Sequence, residues 1–472
     1  MFKRILIANR GECAIRVIRA CNELHIESVA IYSEPDSHAL HVKKADQAIL
    51  IGPDPVKSYL NIHRIVDIAV KTGCDAIHPG YGFLSENPEF AQAVNDAGIT
   101  YIGPSPDAIA NMGSKTKART AMLKAGVPCI PGTEASLVDA EEALETARSM
   151  GYPVMLKAAA GGGGRGIRRC NNDAEVLENY EMTTREALAA FGNGELFMEK
   201  CIVDPRHIEF QILADSEGNC VHLYERDCSI QRRNQKLIEI APSNFIDENL
   251  RQRMGETAVR AALAVGYVNA GTVEFLVDKN HDFYFMEMNT RLQVEHTITE
   301  AVTGVDIVVE QIAIASGLPL RFEQKDISLH GHAVEFRINA EDPLNEFFPT
   351  PGRITRYHSA GGPGVRVDGC VYPGYVIPSF YDSMCAKLTV WAPTWEHTVT
   401  RCQRALKEYD IRGVKTTLPL YRHIAASEVF LQGQFDTGFL EQHPELLAYK
   451  AFERREDIAV AVAAAIAVHA GL

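Results

Sequence analysis

The sequence predicts an α/β (α+β) fold with an N-terminal parallel sheet, a mobile glycine loop between strands and a mostly β C-terminal subdomain. Three observations carry this. Strand and helix signals alternate through the first hundred residues, four consecutive glycines at 161–164 separate two strand-like runs, and short alternating apolar runs take over past about residue 330.

In chain order, RILIA, SVAIYS, DAIHP and ITYIG read as strands, and GECAIRVIRACNEL, YLNIHRIVDIAVKTG and PEFAQAVNDAG as the intervening helices. Repeated strand–helix–strand units imply a parallel sheet covered by helices. The join ANRGE lacks the Gly-x-Gly-x-x-Gly fingerprint, which excludes a dinucleotide-binding turn of that type. KTKARTAMLKAG and DAEEALETARSMG follow as helices, then the strand PVMLKA and the loop AAGGGGRG. Consecutive glycines weaken regular structure by backbone entropy, so a mobile loop is expected there. Two hairpins come next, HIEFQILADSEGNCVHLYERD and GTVEFLVDKNHDFYFMEMN. HAVEFRINA, GRITRYHS and AKLTVWA are short strands, and EHTVTRCQRALKEY is a helix.

The composition bounds the function. With 472 residues and 46% hydrophobic content the chain can bury a large core in two or three domains. A formal charge of −14 argues against a surface built for nucleic acid or anionic membrane. No secretory pattern opens the sequence, and IAVAVAAAIAV at 458–468 is shorter than the ~18–20 residues of a membrane span. It reads as a packed or partner-docking helix. Eleven scattered cysteines without a Cys-x-x-Cys pair suit a reducing cytoplasm.

YFMEMNTRLQVEH, 284–296, alternates Glu287, Asn289, Arg291, Gln293 and Glu295 with Met288, Thr290, Leu292 and Val294. That is the period of an extended chain with one apolar and one charged face. A hairpin turn centred between Asn280 and His281 sets Glu274 opposite Glu287, with Cβ atoms ~5 Å apart. Facing carboxylates repel, and a hard cation such as Mg²⁺ relieves them, with Asn289 as a further oxygen ligand. The glycine loop, preceded by Lys157 and containing Arg165, can bring backbone N–H groups to phosphate oxygens, although the P-loop pattern is absent. Arg226, Arg232, Arg233 and Lys236 form a cationic cluster suited to oxyanions. These features fit a nucleoside triphosphate, a divalent metal and a small anion.

At this point a family resemblance emerges. KRILIANRGECAIRVIRA, AIHPGYGFLSEN, Lys157 with the glycine loop, RHIEFQILAD, ERDCSIQRRNQK, FMEMNTRLQVEH and HAVEFRINAEDP together resemble biotin carboxylase of the ATP-grasp superfamily, in order and spacing, over roughly residues 1–445. The resemblance implies an N-terminal domain at 1–113, an ATP-grasp domain at 114–330 with its lid at about 132–203, a C-terminal domain at 331–445 and an added helical extension at 446–472. It implies that ATP phosphorylates bicarbonate to carboxyphosphate, whose CO₂ passes to N1′ of biotin on a separate carrier protein.

By the same resemblance, Glu274, Glu287 and Asn289 hold Mg²⁺ or Mn²⁺. Lys236, Arg291, Gln293, the backbone at Val294 and Glu295 receive bicarbonate, with Glu295 as general base. Arg337 and Tyr81 belong to the biotin pocket, Arg337 stabilising the enolate-like oxygen. ATP falls to Lys115, Lys157, Gly163, Gly164, Glu199, Lys200, Cys201, Ile202, His207, Gln231 and Asn234. The chain departs from the family pattern at Asn234, usually histidine, at Thr297, usually proline, and at Ala159–Ala160, usually Ser-Gly, so lid flexibility is expected to differ. It contains neither a biotinylation motif nor a carboxyltransferase segment. The implied protein is therefore one cytoplasmic subunit, dimeric with itself, working with a biotin carrier and carboxyltransferase subunit. The tail favours the biotin carboxylase component of a two-component pyruvate carboxylase, with an acyl-CoA carboxylase as the alternative.

Overall fold

A computed structural model describes residues 1–133, 135–159, 166–449 and 455–470. Gly163, Gly164 and Arg165 lie outside them, so the expectation of a mobile loop falls there too.

The N-terminal part is a five-stranded parallel sheet in the order β3-β2-β1-β4-β5, built from β1 (Arg4–Ile7), β2 (Glu27–Ser33), β3 (Gln47–Gly52), β4 (Ala76–His78) and β5 (Thr100–Tyr101). The four strands read from the sequence are present, and β3 is an addition. It sits at the sheet edge, where all its residues but Ile51 are half-buried or exposed, so QAILIG lacks the contrast of a core strand.

A three-stranded antiparallel sheet, β7-β6-β8, follows: β6 (Val154–Ala158), β7 (Ile167–Cys170) and β8 (Leu196–Lys200). It packs with the helices Ala140–Met150 and Asp173–Phe191 around its own small core, in which Leu156, Val176 and Met198 are fully buried.

The largest sheet has eight strands in the order β13-β12-β9-β10-β11-β14-β21-β19. Its members are β9 (Arg206–Ala214), β10 (Cys220–Arg232), β11 (Gln235–Ala241), β12 (Asn269–Val277), β13 (Phe283–Asn289), β14 (His332–Asn339), β19 (Val365–Gly369) and β21 (Met384–Ala392). Short ribbons complete the C-terminal part: β15 (Glu341–Asp342) with β16 (Phe348–Pro349), β17 (Gly352–Arg353) with β20 (Val376–Ile377), and β18 (Arg356–His358) with β22 (Asp410–Arg412). Three strands from beyond residue 330 thus continue the sheet that begins at residue 206, joined where β11 pairs with β14. The N-terminal sheet shares a core with this one, since Ile5 and Ile7 cluster with Leu213, Leu223, Leu292 and Ile312. Apolar contact therefore fixes the N-terminal part against the sheet that carries most of the polar site residues.

All eleven cysteines are unpaired and eight are buried. No helix of the described residues is long and apolar enough to cross a membrane. The C-terminal helix, Arg455–His469, read as packed or partner-docking, leaves Val460, Val462, Ile466 and Val468 exposed in this chain.

Candidate active site

Glu274 does face Glu287, but by a different route from the one the sequence suggests. From Val277↔Phe283 to Phe275↔Phe285 the β12–β13 ladder is centred on Asn280, where Asp278 accepts hydrogen bonds from the backbone of Asn280 (2.8 Å) and Asp282 (3.0 Å). A bulge then shifts the register between Phe275 and Glu274, and Glu274 pairs with Glu287 rather than with Met286. The predicted alternation is also too long. β13 ends at Asn289, and Arg291–Val294 form an irregular turn leading to Glu295, which opens the helix His296–Thr303. The polar groups still converge, because the turn folds them back over the strand.

The pairing extends across four strands. Arg226 on β10 faces Glu209 on β9, Glu209 faces Glu274 on β12, and Glu274 faces Glu287 on β13. Glu209 is fully buried, Glu274 is 3% exposed, and Glu287 is exposed and makes no hydrogen bond or ion pair to a described residue. Desolvation and the neighbouring Glu274 push the Glu287 carboxyl above its ordinary value. Burial acts the same way on Glu274, but Lys236 and His207 outweigh it and hold that carboxyl well below the usual range. His207 Nε2 lies 2.9 Å from Glu274 Oε2, and Asn289 Nδ2 donates to Glu274 Oε1 at 2.8 Å.

Lys236, on β11, is the hub. Its Nζ lies 2.6 Å from Glu209, 3.0 Å from Glu274 and 2.8 Å from Glu295, and these three carboxylates keep it protonated against the cost of burial. Glu295 is 2% exposed and held from its other side by Arg337 on β14, at 2.9 Å. Burial opposes its ionisation, yet Lys236, Arg337 and Arg226 together keep the carboxyl far below its ordinary value. Arg337 also contacts Glu239 at 2.6 Å, not the Glu335 or Glu341 beside it in sequence. Burial pushes Glu239 up to about 7.

Gln293 donates to Glu274 (2.8 Å) and accepts from Arg226 (2.6 Å). The Val294 carbonyl accepts from Lys387 at 3.0 Å, while its N–H has no acceptor among the described residues. Arg291 stands slightly apart, bonded to Glu86 of the N-terminal part and to Asn289 Oδ1, both at 2.8 Å. Tyr81 contributes a buried hydroxyl without a partner among the described residues, and its ring lies 5.6 Å from Lys387 Nζ.

The nucleotide candidates gather on the small sheet. Lys157 on β6 forms an ion pair with Glu199 on β8, with Arg119 at 3.9 Å from the same carboxylate. Lys115 opens the helix Lys115–Lys124, and burial followed by the nearby Lys157 lowers its pKa. The Lys200 ammonium donates to the carbonyls of Gly151 (2.6 Å) and Tyr152 (3.3 Å). Cys201 and Ile202 continue from β8. Gln231 is buried near the end of β10, and Asn234 is exposed in the β10–β11 turn. There Arg233 and Asn234 both adopt positive φ, 49° and 65°, a left-handed pair that asparagine tolerates well.

The cationic cluster read from the sequence does not assemble. Arg226 is fully buried and bonded to Glu209, Gln211, Thr272, Gln293 and Thr299, so it is part of the sheet's internal scaffold. Arg232 and Arg233 turn to Glu346. Of the four, Lys236 alone bridges Glu209, Glu274 and Glu295, while Arg226 pairs with Glu209 from within the sheet. Conversely, sequence reasoning missed Glu209, although its signal was present: His207, Glu209 and Gln211 alternate along one face of β9. His207, Glu209 and Glu274 offer ligand atoms within 4.8 Å of one another.

Residues 1–109 match the N-terminal domain of biotin carboxylase, 114–323 the ATP-binding domain of the carbamoyl-phosphate synthase L chain, and 335–442 the biotin carboxylase C-terminal domain. The small subunit of 2-oxoglutarate carboxylase from Hydrogenobacter thermophilus is 53% identical over the full length of both chains. The chain belongs to the biotin carboxylase family. A pyruvate carboxylase subunit of Methanothermobacter thermautotrophicus is 55% identical over 94% of this biotin carboxylase and 90% of its own length. Biotin carboxylase 1 of Bacillus subtilis is 53% identical over 94% and 99%. A crystal structure of the biotin carboxylase domain dimer of the Hydrogenobacter 2-oxoglutarate carboxylase, in complex with MgADP, ADP and bicarbonate, superposes with a TM-score of 0.91 at 54% identity, covering 95% of this chain and 99% of that one. This chain is accordingly an ATP-grasp ligase with the biotin carboxylase fold.

Proposed function

We propose that this chain is the biotin carboxylase subunit of a two-component 2-oxo acid carboxylase, with pyruvate as the acceptor. It uses ATP to activate bicarbonate and carboxylates biotin carried by another polypeptide. The observation that carries the reading is Glu295, a buried carboxylate clamped between Lys236 and Arg337 beside the Glu209–Glu274–Glu287 row.

Bicarbonate fits where Lys236, Arg291, Gln293 and the unpaired N–H of Val294 meet Glu295. With Lys236 and Arg337 both on Glu295, the carboxylate is a weak base. An anion that draws Lys236 toward itself raises the proton affinity of Glu295, which then accepts the bicarbonate proton as the bicarbonate oxygen bonds to the γ-phosphorus and the bond to the β–γ bridging oxygen breaks, releasing ADP. Arg337 is placed to meet the ureido oxygen of biotin, with Tyr81 at the pocket wall. Lys115, Lys157 and His207 serve the phosphates and nucleoside, and the Lys157–Glu199 pair must open to admit them. The facing carboxylates, one free and one buried, suit Mg²⁺ or Mn²⁺: Glu274, Glu287 and Asn289 would hold the ion, which would neutralise charge on the ATP phosphates. The structural relative crystallised with MgADP and bicarbonate supports this ligand set. Relatives acting in 2-oxoglutarate and pyruvate carboxylases support a 2-oxo acid acceptor and a separate partner polypeptide. The crystallised dimer supports self-association.

The test is ATP cleavage by the purified chain with bicarbonate and free biotin. Biotin should stimulate phosphate release, and Glu295→Ala or Glu287→Gln should lower that turnover by at least about 100-fold while leaving the folded protein intact. Undiminished turnover in either variant overturns the site. The acceptor is decided by supplying the native complex with pyruvate, 2-oxoglutarate or acetyl-CoA and following labelled bicarbonate into product.

A further inference from the structure

Lys387 is fully buried on β21, between Arg337 of β14 and Asp368 of β19 in the ladder. An ammonium out of water is costly unless opposite charge and hydrogen bonds compensate it. Glu12, on the helix Gly11–Glu23, lies 3.2 Å away and, with Glu335 and Asp368, keeps the group protonated against burial. The remaining contact is the Val294 carbonyl, which accepts from Nζ at 3.0 Å.

Arg291–Val294 belongs to neither strand nor helix, so bonds outside regular structure must fix its backbone. Three consecutive carbonyls are engaged by side chains. Leu292 accepts from Arg291 Nη1 (3.2 Å), Gln293 from His296 Nδ1 (2.7 Å) and Val294 from Lys387. The first two donors are local to the segment. Lys387 stands 93 residues away and, of the three, alone ties the turn to a distant strand. A peptide unit is planar, so holding the Val294 carbonyl also sets the direction in which the chain enters Glu295.

We propose that Lys387 is a positioning residue for bicarbonate: through the Val294 carbonyl it holds the turn that presents Gln293, the Val294 N–H and Glu295 to the anion. The proposal rests on the reading of that turn as the bicarbonate site. Enclosed and already engaged, the ammonium acts through the turn and not on the anion itself. Without it the peptide between Val294 and Glu295 is free to rotate, and bicarbonate meets donors and base that are no longer held together. The nucleotide candidates Lys115 and Lys157 stand on the helix Lys115–Lys124 and on β6, so their geometry does not depend on this tie. The loss should therefore be selective.

Phosphate release in the presence of free biotin is measured for the full chain while bicarbonate and MgATP are varied in turn, with thermal unfolding as the check on folding. Lys387→Met should raise the KM for bicarbonate at least ten-fold and leave that for MgATP within two-fold. Glu12→Gln removes the ion pair but keeps the donor, and should leave both KM values within two-fold. Glu12→Gln combined with Lys387→Met removes both charges together, so neither is left uncompensated, and should repeat the bicarbonate defect. An unchanged bicarbonate KM in a folded Lys387 variant overturns the proposal. So does an equal rise in Glu12→Gln, or a rise for both substrates alike. Failure of both Lys387 variants to fold assigns the residue to stability and overturns the positioning role too. Absence of biotin-stimulated turnover in the wild type would instead overturn the reading of the site.

Discussion

Glu295 is charged because Lys236 and Arg337 stand 2.8 and 2.9 Å away. Removing one member of such a buried set leaves its partners uncompensated, so Lys236→Met should lower unfolding stability by about 3–5 kcal/mol, read from the urea midpoint. Thr297 follows Glu295 by two positions and bears on the same region. Its hydroxyl hydrogen-bonds Glu335 and lies 2.7 Å from the Thr389 hydroxyl. Burial and the neighbouring Glu239 raise Glu335 well above the usual carboxylate range. Thr297→Val removes this partner from a fully buried carboxyl and should cost about 1–3 kcal/mol, seen as a lower Tm. The departure from proline at this position therefore has a structural role in the sheet beneath the site. That role was illegible in the sequence, because Thr297 and Glu335 are 38 residues apart and meet only through the fold. Lys236 could be singled out because it lies in a dense local run of charge, Glu295 because it continues the alternation from Glu287, and Glu274 because the hairpin register sets it opposite Glu287. Glu209 sits between apolar neighbours in HIEFQI, where a lone acid reads as an ordinary strand residue.

At the scale of elements, the β10–β11 and β12–β13 hairpins differ in how their turns set their registers. Between β10 and β11, two left-handed residues make the connection, and Asn234 suits its φ of 65°. Asn234→Val should destabilise by about 1–2 kcal/mol, whereas Asn234→Gly should stay near wild type, both checked by thermal unfolding. Between β12 and β13 the Asp278 turn and the bulge act together. The opposition of Glu274 and Glu287 was legible because both residues flank a short polar turn, but the bulge was not, since neither Phe285 nor Met286 carries a turn signature. The strand period also overran into Arg291–Val294, because the polar–apolar alternation persists where β13 has already ended.

For the whole molecule, buried histidines contribute to the acid limit. His78 is fully buried on the short strand β4 and accepts a hydrogen bond from the Gly80 backbone at 2.9 Å. Burial lowers its pKa from 6.5 to about 4. The unfolded chain binds this proton first as pH falls, so the stability from neutral His78 is complete above pH 6.5 and is lost progressively toward pH 4. Between pH 7.5 and 4.5 the loss is about 2–3 kcal/mol at this site. His78→Gln should flatten the pH dependence of the urea midpoint by that amount. The continuity of the eight-stranded sheet governs something else: how this protein can be recombined with its kin. A chimera spliced at residue 330 takes β11 from one parent and β14 from the other, severing by design the ladder that sets Glu239 beside Glu335 and, two residues on, presents Arg337. A graft spanning 132–203 leaves every strand of that sheet with its native neighbours. Exchangeable parts of this protein are therefore marked out by hydrogen-bonded sheets, and a boundary drawn from sequence texture at 330 would pass through the middle of one.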